Sequence, residues 1–305
     1  MTDSLGSILT AMVTPFDADL RVDHGRLADL AVDHGKLAEL AEHLIASGSD
    51  GLVVAGTTGE SPTLTDVEKA AMFRTVVEAV GDRVPVVAGT GSNDTAHSVA
   101  LTRTAEKCGV DAVLVVTPYY NKPPERGLLA HFRAVAAATS LPLVVYNIPG
   151  RSVVNLRPEA LAALAEVYNI VAVKQANPDL GELHRLRELS DLGIYAGNDD
   201  MLLDVLKMGG LGGICVASHI VGPRLAEMAR LVRAGNEAAG DRLDEGLRPL
   251  YETLFLTANP ILVKEALNLL GHEVGGLRLP LVPATPEESA AVADELRRLG
   301  MLDRA

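Results

Sequence analysis

Short runs of β-branched and other apolar residues alternate along the chain with longer stretches of helical, amphipathic spacing. Eight such runs occur: Ile8 to Val13, Gly51 to Ala55, Val84 to Ala88, Ala112 to Val116, Leu141 to Tyr146, Ile170 to Lys174, Ile194 to Ala196 and Gly213 to Val216. The amphipathic stretches include Asp66 to Val80, Thr95 to Lys107 and Arg126 to Thr139. This alternation predicts a parallel sheet covered by helices. Eight units within about 235 residues fit a closed barrel better than an open doubly wound sheet.

The strand pattern stops after Asn236, and the remaining chain has only helical spacing. Three helices are predicted there, over Glu237 to Phe255, Pro260 to Leu270 and Pro286 to Leu299. The expected architecture is therefore an α/β protein, with a (β/α)₈ TIM barrel over residues 1–235 and a C-terminal helical extension over residues 236–305.

A tandem near-duplicate lies in the region of the first barrel helix. Residues 22–31 and 32–41 are identical at eight of ten positions. Ten residues advance a helix by about 2.8 turns, so a continuous helix through both copies would turn its apolar face away from the sheet. We expect the second copy to form the first barrel helix. The first copy would be an extra loop or a short surface helix without a catalytic role.

Composition and charge narrow the functional classes. The 305 residues carry a net charge of −13, which argues against a nucleic-acid-binding surface. Cys108 and Cys215 are too few for a disulfide framework and favour a reducing compartment. Neither a signal peptide nor a membrane span is predicted, so a cytoplasmic protein is expected. The histidines lack metal-ligand spacing and Gly89-Thr90-Gly91 lacks a nucleotide fingerprint, so we expect no metal and no nucleotide cofactor.

Lys174 ends an otherwise apolar run, and of the seven lysines it is the one that we expect to be buried. A cation so placed is either paired with a buried carboxylate or kept uncharged, so that its amine can attack a carbonyl carbon. The preceding apolar run ends at Tyr146, and Arg151 follows five residues later. Amine, phenol and guanidinium together indicate carbonyl chemistry on an anionic substrate.

Other strand ends supply candidate binding groups, because the C-terminal ends of the strands of a parallel barrel converge on one mouth. Thr57 and Thr58 lie in a loop, residues 56–60, that is either a helix cap or a nest of N–H and hydroxyl groups for a carboxylate. Tyr146 either packs with its hydroxyl on a backbone carbonyl or moves protons. Arg151 is either a solvated surface residue or a carboxylate-binding group.

Taken together, the strand ends resemble the dihydrodipicolinate synthase family, within the class I pyruvate-dependent aldolases. The resemblance covers nearly the whole chain in the right order, through residues 10–15, 56–61, 88–93, 117–123, 146–151, 173–174, 197–200 and 259–268. It implies a TIM barrel with a helical extension, and a reaction that condenses pyruvate with L-aspartate 4-semialdehyde in the diaminopimelate route to lysine.

The resemblance also implies catalytic roles. Lys174 would form an imine with pyruvate, and the enamine derived from it would attack the aldehyde. Tyr146 would relay protons together with Thr58 and with Tyr120, which the family contributes from a neighbouring subunit. A borrowed Tyr120 requires an oligomer, and the family suggests a homotetramer built from two tight dimers.

Substrate-binding roles follow from the same resemblance. Thr57 and Thr58 would bind the pyruvate carboxylate, and Arg151 would bind the carboxylate of the semialdehyde. Backbone groups of Gly197 and Ile214 would line the pocket.

Two departures from the family pattern lie near these residues. Gln175 stands where an acid is usual, but it should face away from the barrel axis because neighbours on a strand alternate. Val153 replaces a frequent glycine beside Arg151, which leaves the aldehyde specificity open.

A third departure concerns the cleft in which some family members bind lysine as an inhibitor. Asp66, Lys69 and His97 replace its usual histidines and acid. We therefore do not expect strong lysine feedback.

Two alternatives remain open from the sequence. A sister aldolase, such as N-acetylneuraminate lyase or a 2-keto-3-deoxy sugar acid aldolase, would share Lys174 and Tyr146, although Thr57-Thr58 and Tyr119-Tyr120 favour the synthase. A non-catalytic pyruvate-binding or structural paralogue would keep Lys174 only as a relic.

Overall fold

The structure, a computed structural model, describes residues 5–17 and 32–303, in which eight parallel strands close into a barrel. The strands are β1 (Ile8–Ala11), β2 (Gly51–Val54), β3 (Val86–Gly89), β4 (Ala112–Val116), β5 (Leu143–Asn147), β6 (Ile170–Gln175), β7 (Gly193–Ala196) and β8 (Gly212–Cys215). Each strand pairs with its neighbours in sequence, and β8 returns to β1. The predicted TIM barrel is confirmed.

Helices cover the barrel and continue beyond it. They are α1 (His34–Ala46), α2 (Asp66–Val80), α3 (Thr95–Lys107), α4 (Glu125–Ala136), α5 (Pro149–Ser152), α6 (Pro158–Ala165), α7 (Leu180–Leu189), α8 (Leu202–Lys207), α9 (Ser218–Arg233), α10 (Glu237–Leu254), α11 (Ile261–Leu269) and α12 (Pro286–Arg298). The last three form the predicted C-terminal extension. Among the helices of the described ranges, none is long and apolar enough to cross a membrane.

Alternate strand residues separate into two apolar clusters, as the two-residue period of a strand requires. The inner cluster fills the barrel with side chains from every strand: Leu9, Val53, Val87, Leu114, Val144, Ala172, Tyr195 and Ile214. The larger outer cluster lies between strands and helices and continues into the extension through Leu247, Leu262 and Val292. The extension therefore shares a hydrophobic core with the barrel.

Two strands begin two residues later than the sequence predicted, and proline explains both differences. β3 begins at Val86 rather than Val84, and β5 begins at Leu143 rather than Leu141. Pro85 and Pro142 have no N–H for a ladder hydrogen bond. Their carbonyls still accept from the neighbouring strand, at 3.0 and 2.9 Å.

Helix α1 lies in the second copy of the duplicated segment, as expected. It begins after Asp33, whose carboxylate caps it by accepting from the N–H of Lys36 at 2.9 Å, and it buries Leu37 and Leu40. The first copy, residues 22–31, lies outside the described residues.

Candidate active site

Lys174 and Tyr146 lie side by side at the C-terminal ends of β6 and β5. They are partners in the strand register, so both side chains point to the same side of the sheet. The Lys174 nitrogen lies 4.3 Å from the centre of the Tyr146 ring, and the two residues are only 4% and 5% exposed. The sequence prediction that an amine and a phenol meet at the barrel mouth agrees with this geometry.

Among the residues that the structure describes, no Asp or Glu oxygen lies within 4.0 Å of the Lys174 nitrogen, so this lysine has no ion-pair partner there. Asp199, buried after β7, is a carboxylate whose charge interacts with Lys174 from farther away. Its oxygens accept instead from the N–H groups of Val216 and Ala217, at 2.9 and 3.1 Å. Burial raises the pKa of Asp199, and these hydrogen bonds and the Lys174 charge oppose that rise. The geometry thus does not support a structural lysine paired with a carboxylate.

The two threonines after β2 have different surroundings. Thr57 is half-buried and lines a cavity of about 530 Å³ at the barrel mouth, together with Tyr146 and Tyr120. Thr58 is buried, and its hydroxyl oxygen accepts from the side-chain amide of Asn259 at 2.9 Å. Thr57 therefore shares the cavity with Tyr146 and Tyr120, whereas the Thr58 hydroxyl contacts Asn259.

Arg151 and Tyr120 lie on the segments that follow the neighbouring strands β5 and β4, and both line the same cavity. Arg151 is exposed on the short helix α5, and Tyr120 is 87% exposed on the loop after β4. Val153, which also lines the cavity, has a left-handed backbone with φ of +62°. The guanidinium is thus placed to receive an anionic group that enters the cavity from solvent.

Gly197 directly follows β7, and Ile214 lies within β8. The N–H of Gly197 donates to the carbonyl of Gln175 at 2.7 Å, and a Cβ at Gly197 would lie 2.8 Å from that oxygen. Only glycine permits this close approach. Ile214 is fully buried in the inner cluster. These two residues and Thr58 are not among those that line the cavity with Thr57.

Gln175 faces the helices, as expected from its place beside Lys174. Its side-chain oxygen accepts from the amide of Asn147 at 3.0 Å, and Asn147 is the register partner of Gln175 on β5. The departure from the family pattern at this position is thus turned away from the mouth.

Two of the positions that the family resemblance assigns to an effector cleft, Lys69 and His97, line the cavity. Lys69 is 6% exposed, and His97 hydrogen-bonds the Asp66 carboxylate at 2.9 Å. Burial lowers the pKa of Lys69, and Asp66 and Glu68 oppose that shift. The cleft therefore contains a buried amine and a histidine that is already engaged.

The expectation that Lys174 alone is buried among the lysines is wrong. Lys69 is also buried, and Lys264 on α11 is only 1% exposed. The Lys264 nitrogen binds the carboxylate of Glu60 at 3.0 Å and the carbonyl of Thr14 at 2.9 Å. Burial lowers its pKa to about 8, against the opposing charge of Glu60. The helical spacing of α11 places Lys264 among apolar residues, and this was the sequence signal that could have indicated its burial.

Sequence reasoning also missed the contacts by which the extension holds the loop of residues 56–61. Lys264 pairs with Glu60, which has φ of +58°, and the N–H of Arg278 donates to the other Glu60 oxygen at 3.0 Å. Asn259 contacts Thr58 in the same loop.

Metal binding has no candidate site within the described ranges, where no group of three or more His, Cys, Asp or Glu side chains could hold an ion. The buried His219 instead uses both ring nitrogens on backbone groups, of Val13 at 3.2 Å and Val216 at 2.8 Å.

Comparison with known proteins decides the family. The model of the dihydrodipicolinate synthetase family matches residues 4–299. The chain belongs to this family. The family resemblance of the strand ends is thereby confirmed, and membership makes the protein an enzyme of the lyase class, of the class I aldolase type.

Individual family members are similar over nearly their full length. A 4-hydroxy-tetrahydrodipicolinate synthase of Desulforudis audaxviator is 49% identical over 99% of this chain and 100% of its own. The DHDPS of Cyanidioschyzon merolae, solved with lysine bound, is 42% identical with a TM-score of 0.92, over 98% and 99% of the two chains. A dihydrodipicolinate synthase of Bacillus anthracis is 42% identical with a TM-score of 0.89, over 96% and 98%. These names favour the synthase over the sister aldolases.

Proposed function

We propose that this protein is a 4-hydroxy-tetrahydrodipicolinate synthase that condenses pyruvate with L-aspartate 4-semialdehyde through an imine on Lys174. The observation that carries the proposal is the pair of a buried amine and a buried phenol at adjacent strand ends, with no carboxylate in ion-pair contact among the described residues. No carboxylate in ion-pair contact occupies this amine, and the free base is the form of an amine that attacks a ketone.

Imine formation explains why Tyr146 lies beside the amine. The nitrogen adds to the keto carbon of pyruvate, and the resulting carbinolamine loses water only if its hydroxyl receives a proton. A phenol positioned at this point can supply that proton and later recover one. Loss of a methyl proton then gives the enamine, whose carbon forms the new bond to the aldehyde carbon.

The proton relay extends from Tyr146 to a threonine and Tyr120. Thr58 carries the expected role, and Thr57 is a second candidate because it lines the cavity together with both tyrosines. The same two threonines and the backbone at Gly197 and Ile214 would hold the pyruvate carboxylate.

Arg151 is assigned to the carboxylate of the second substrate. Its guanidinium lies on the solvent side of the cavity, where a molecule would enter after the imine has formed. A fork of N–H donors suits a carboxylate. The Val153 side chain takes up space beside Arg151 in the cavity, so the preference of the enzyme among related aldehydes should depend on this residue.

A homotetramer of two tight dimers is part of the proposal. Tyr120 is the reason, since its phenol borders its own cavity but is 87% exposed there, on a left-handed backbone with φ of +72°. In an assembly this ring would reach a neighbouring mouth. A cytoplasmic location stays a prediction.

Strong inhibition by lysine is not expected. The C. merolae enzyme was solved with lysine bound. In this chain, the positions that the family resemblance assigns to the effector cleft include the buried amine of Lys69, which would repel the ammonium groups of lysine. His97 is engaged with Asp66. Inhibition at sub-millimolar lysine in a steady-state assay would contradict this expectation.

Reductive trapping tests the proposed function. Borohydride added with pyruvate should reduce the imine and leave a stable mass adduct on Lys174, and Lys174→Met should abolish both adduct and condensation. Lys207→Met, which removes an exposed lysine, serves as the control and should leave both intact. Assays with pyruvate and aspartate semialdehyde, beside sialic-acid cleavage, separate the synthase from its sister aldolases. Condensation at full rate by Lys174→Met would refute the proposal.

A further inference from the structure

Asn259, in the C-terminal extension, contacts the loop of residues 56–61, which carries Thr57 and Thr58 and is called the threonine loop. It lies between α10 and α11, 201 positions from Thr58 in sequence, and its Nδ2–H donates to the Thr58 hydroxyl oxygen at 2.9 Å. Both residues are buried, at 6% and 3% exposure. A hydrogen bond this well shielded from water has a defined geometry, so the orientation of one side chain depends on the other.

The direction of this hydrogen bond determines what Thr58 can do. An amide nitrogen can only donate, whereas a hydroxyl donates one proton and accepts through its lone pairs. When Thr58 accepts from Asn259, its own proton remains available for another acceptor. A carboxylate has acceptors only, so it is a group that can receive this proton.

A second contact fixes the position of the same loop. Lys264 lies on α11, five residues after Asn259, and its nitrogen holds the Glu60 carboxylate two residues beyond Thr58. Glu60 has a left-handed backbone, which a non-glycine residue keeps only where its surroundings impose it. The extension therefore contacts the threonine loop on both sides of Gly59, through Thr58 and through Glu60.

We propose that Asn259 is a positioning residue for the pyruvate site: it keeps Thr58 oriented as a hydrogen-bond donor toward the carboxylate of the bound keto acid. This inference rests on the proposed function, in which Thr58 binds that carboxylate. One residue that supports the active site would then come from the helical extension and not from the eight strand ends.

The effect belongs to pyruvate binding, so it should appear in KM for pyruvate and in the pyruvate concentration needed for trapping. Asn259→Ala should raise both about tenfold, since one hydrogen bond to a charged group contributes about 1.5 kcal/mol or more. Asn259→Asp has the same shape but replaces the donor with an acceptor and adds negative charge near the substrate carboxylate. It should therefore raise KM more than Asn259→Ala does.

The experiment combines these variants with Thr58→Val. In a double-mutant cycle, adding Asn259→Ala to Thr58→Val should raise KM little further, because the hydroxyl through which Asn259 acts is gone. Asn268→Ala is the matched control, since this asparagine of α11 donates to the Gly275 carbonyl at 3.0 Å away from the threonine loop. It should leave KM for pyruvate unchanged.

Three outcomes would overturn the inference. Asn259→Ala could lower the melting temperature without changing KM, the two substitutions could act independently, or Asn259→Asp could bind pyruvate as well as Asn259→Ala. If the alanine variant does not fold, the isosteric aspartate variant still tests the direction of the hydrogen bond. Failure of the unmodified enzyme to be trapped by pyruvate would instead reject the proposed function itself.

Discussion

Replacing Lys264 with methionine tests how strongly the buried ion pair stabilises the molecule. Methionine fills a similar space, but it removes the cation from the Glu60 carboxylate and the donors from the carbonyls of Thr14 and Gly276. Glu60 has a fully buried side chain and would retain the N–H of Arg278 as its described partner.

The expected loss follows from these contacts. Removing one partner of a buried ion pair leaves an uncompensated charge and destabilises a protein by about 3 to 5 kcal/mol. For a chain of this size we expect a fall in melting temperature of roughly 10 °C. Adding Glu60→Gln to Lys264→Met removes the stranded charge, so the double variant should be more stable than the single one.

The assay is chemical denaturation followed by far-ultraviolet circular dichroism, at one fixed protein concentration because assembly contributes to apparent stability. Lys207→Met is the matched control: its pair with Asp241 has the same chemistry, but both side chains are about a third or more exposed, at 30% and 43%. Such a surface pair contributes about 0 to 1 kcal/mol. If Lys264→Met is no less stable than Lys207→Met, the reasoning about buried charge is wrong.

Three further substitutions have defined outcomes. Burial lowers the pKa of His131 to about 4, whereas a histidine in the unfolded chain has a pKa of about 6.5. As the pH falls, the unfolded chain therefore gains this proton first. The free energy of unfolding should fall by up to about 3 kcal/mol between pH 6.5 and 4. His131→Gln should flatten that part of a stability–pH profile, and the exposed control His184→Gln should not. Val153→Gly should stabilise by about 1 kcal/mol in denaturation because it relieves the left-handed backbone, whereas Val153→Ala should not. Thr65 caps α2 in a reciprocal capping box, so Thr65→Ala should cost about 1 kcal/mol and Thr65→Ser should restore most of it.

The sequence predicted the barrel and the Lys174–Tyr146 meeting point because both depend on local pattern and one topological rule. Short continuous apolar runs identify the buried strands of a parallel sheet, and closure of that sheet brings their C-terminal ends together. The predicted starts of β3 and β5 were less accurate, because Pro85 and Pro142 interrupt the hydrogen-bond ladder but not the apolar pattern. The family resemblance supplied the roles of Thr57 and Arg151, which their residue types alone left open.

The contacts of the extension could not be predicted from pattern. Asn259 meets Thr58 and Lys264 meets Glu60 across about 200 positions of sequence. Amphipathic spacing identifies the face that a helix buries, but not the loop against which it is buried. The position of Lys264 among the apolar residues of α11 indicates burial, but it does not identify Glu60 as the partner.

The double grip on the loop of residues 56–61 constrains how this enzyme can be recombined with its relatives. A chimaera that takes the three terminal helices from a relative keeps these contacts only if that relative has an asparagine and a lysine at the positions of Asn259 and Lys264. The two segments are therefore best exchanged together, although about 200 positions separate them in sequence.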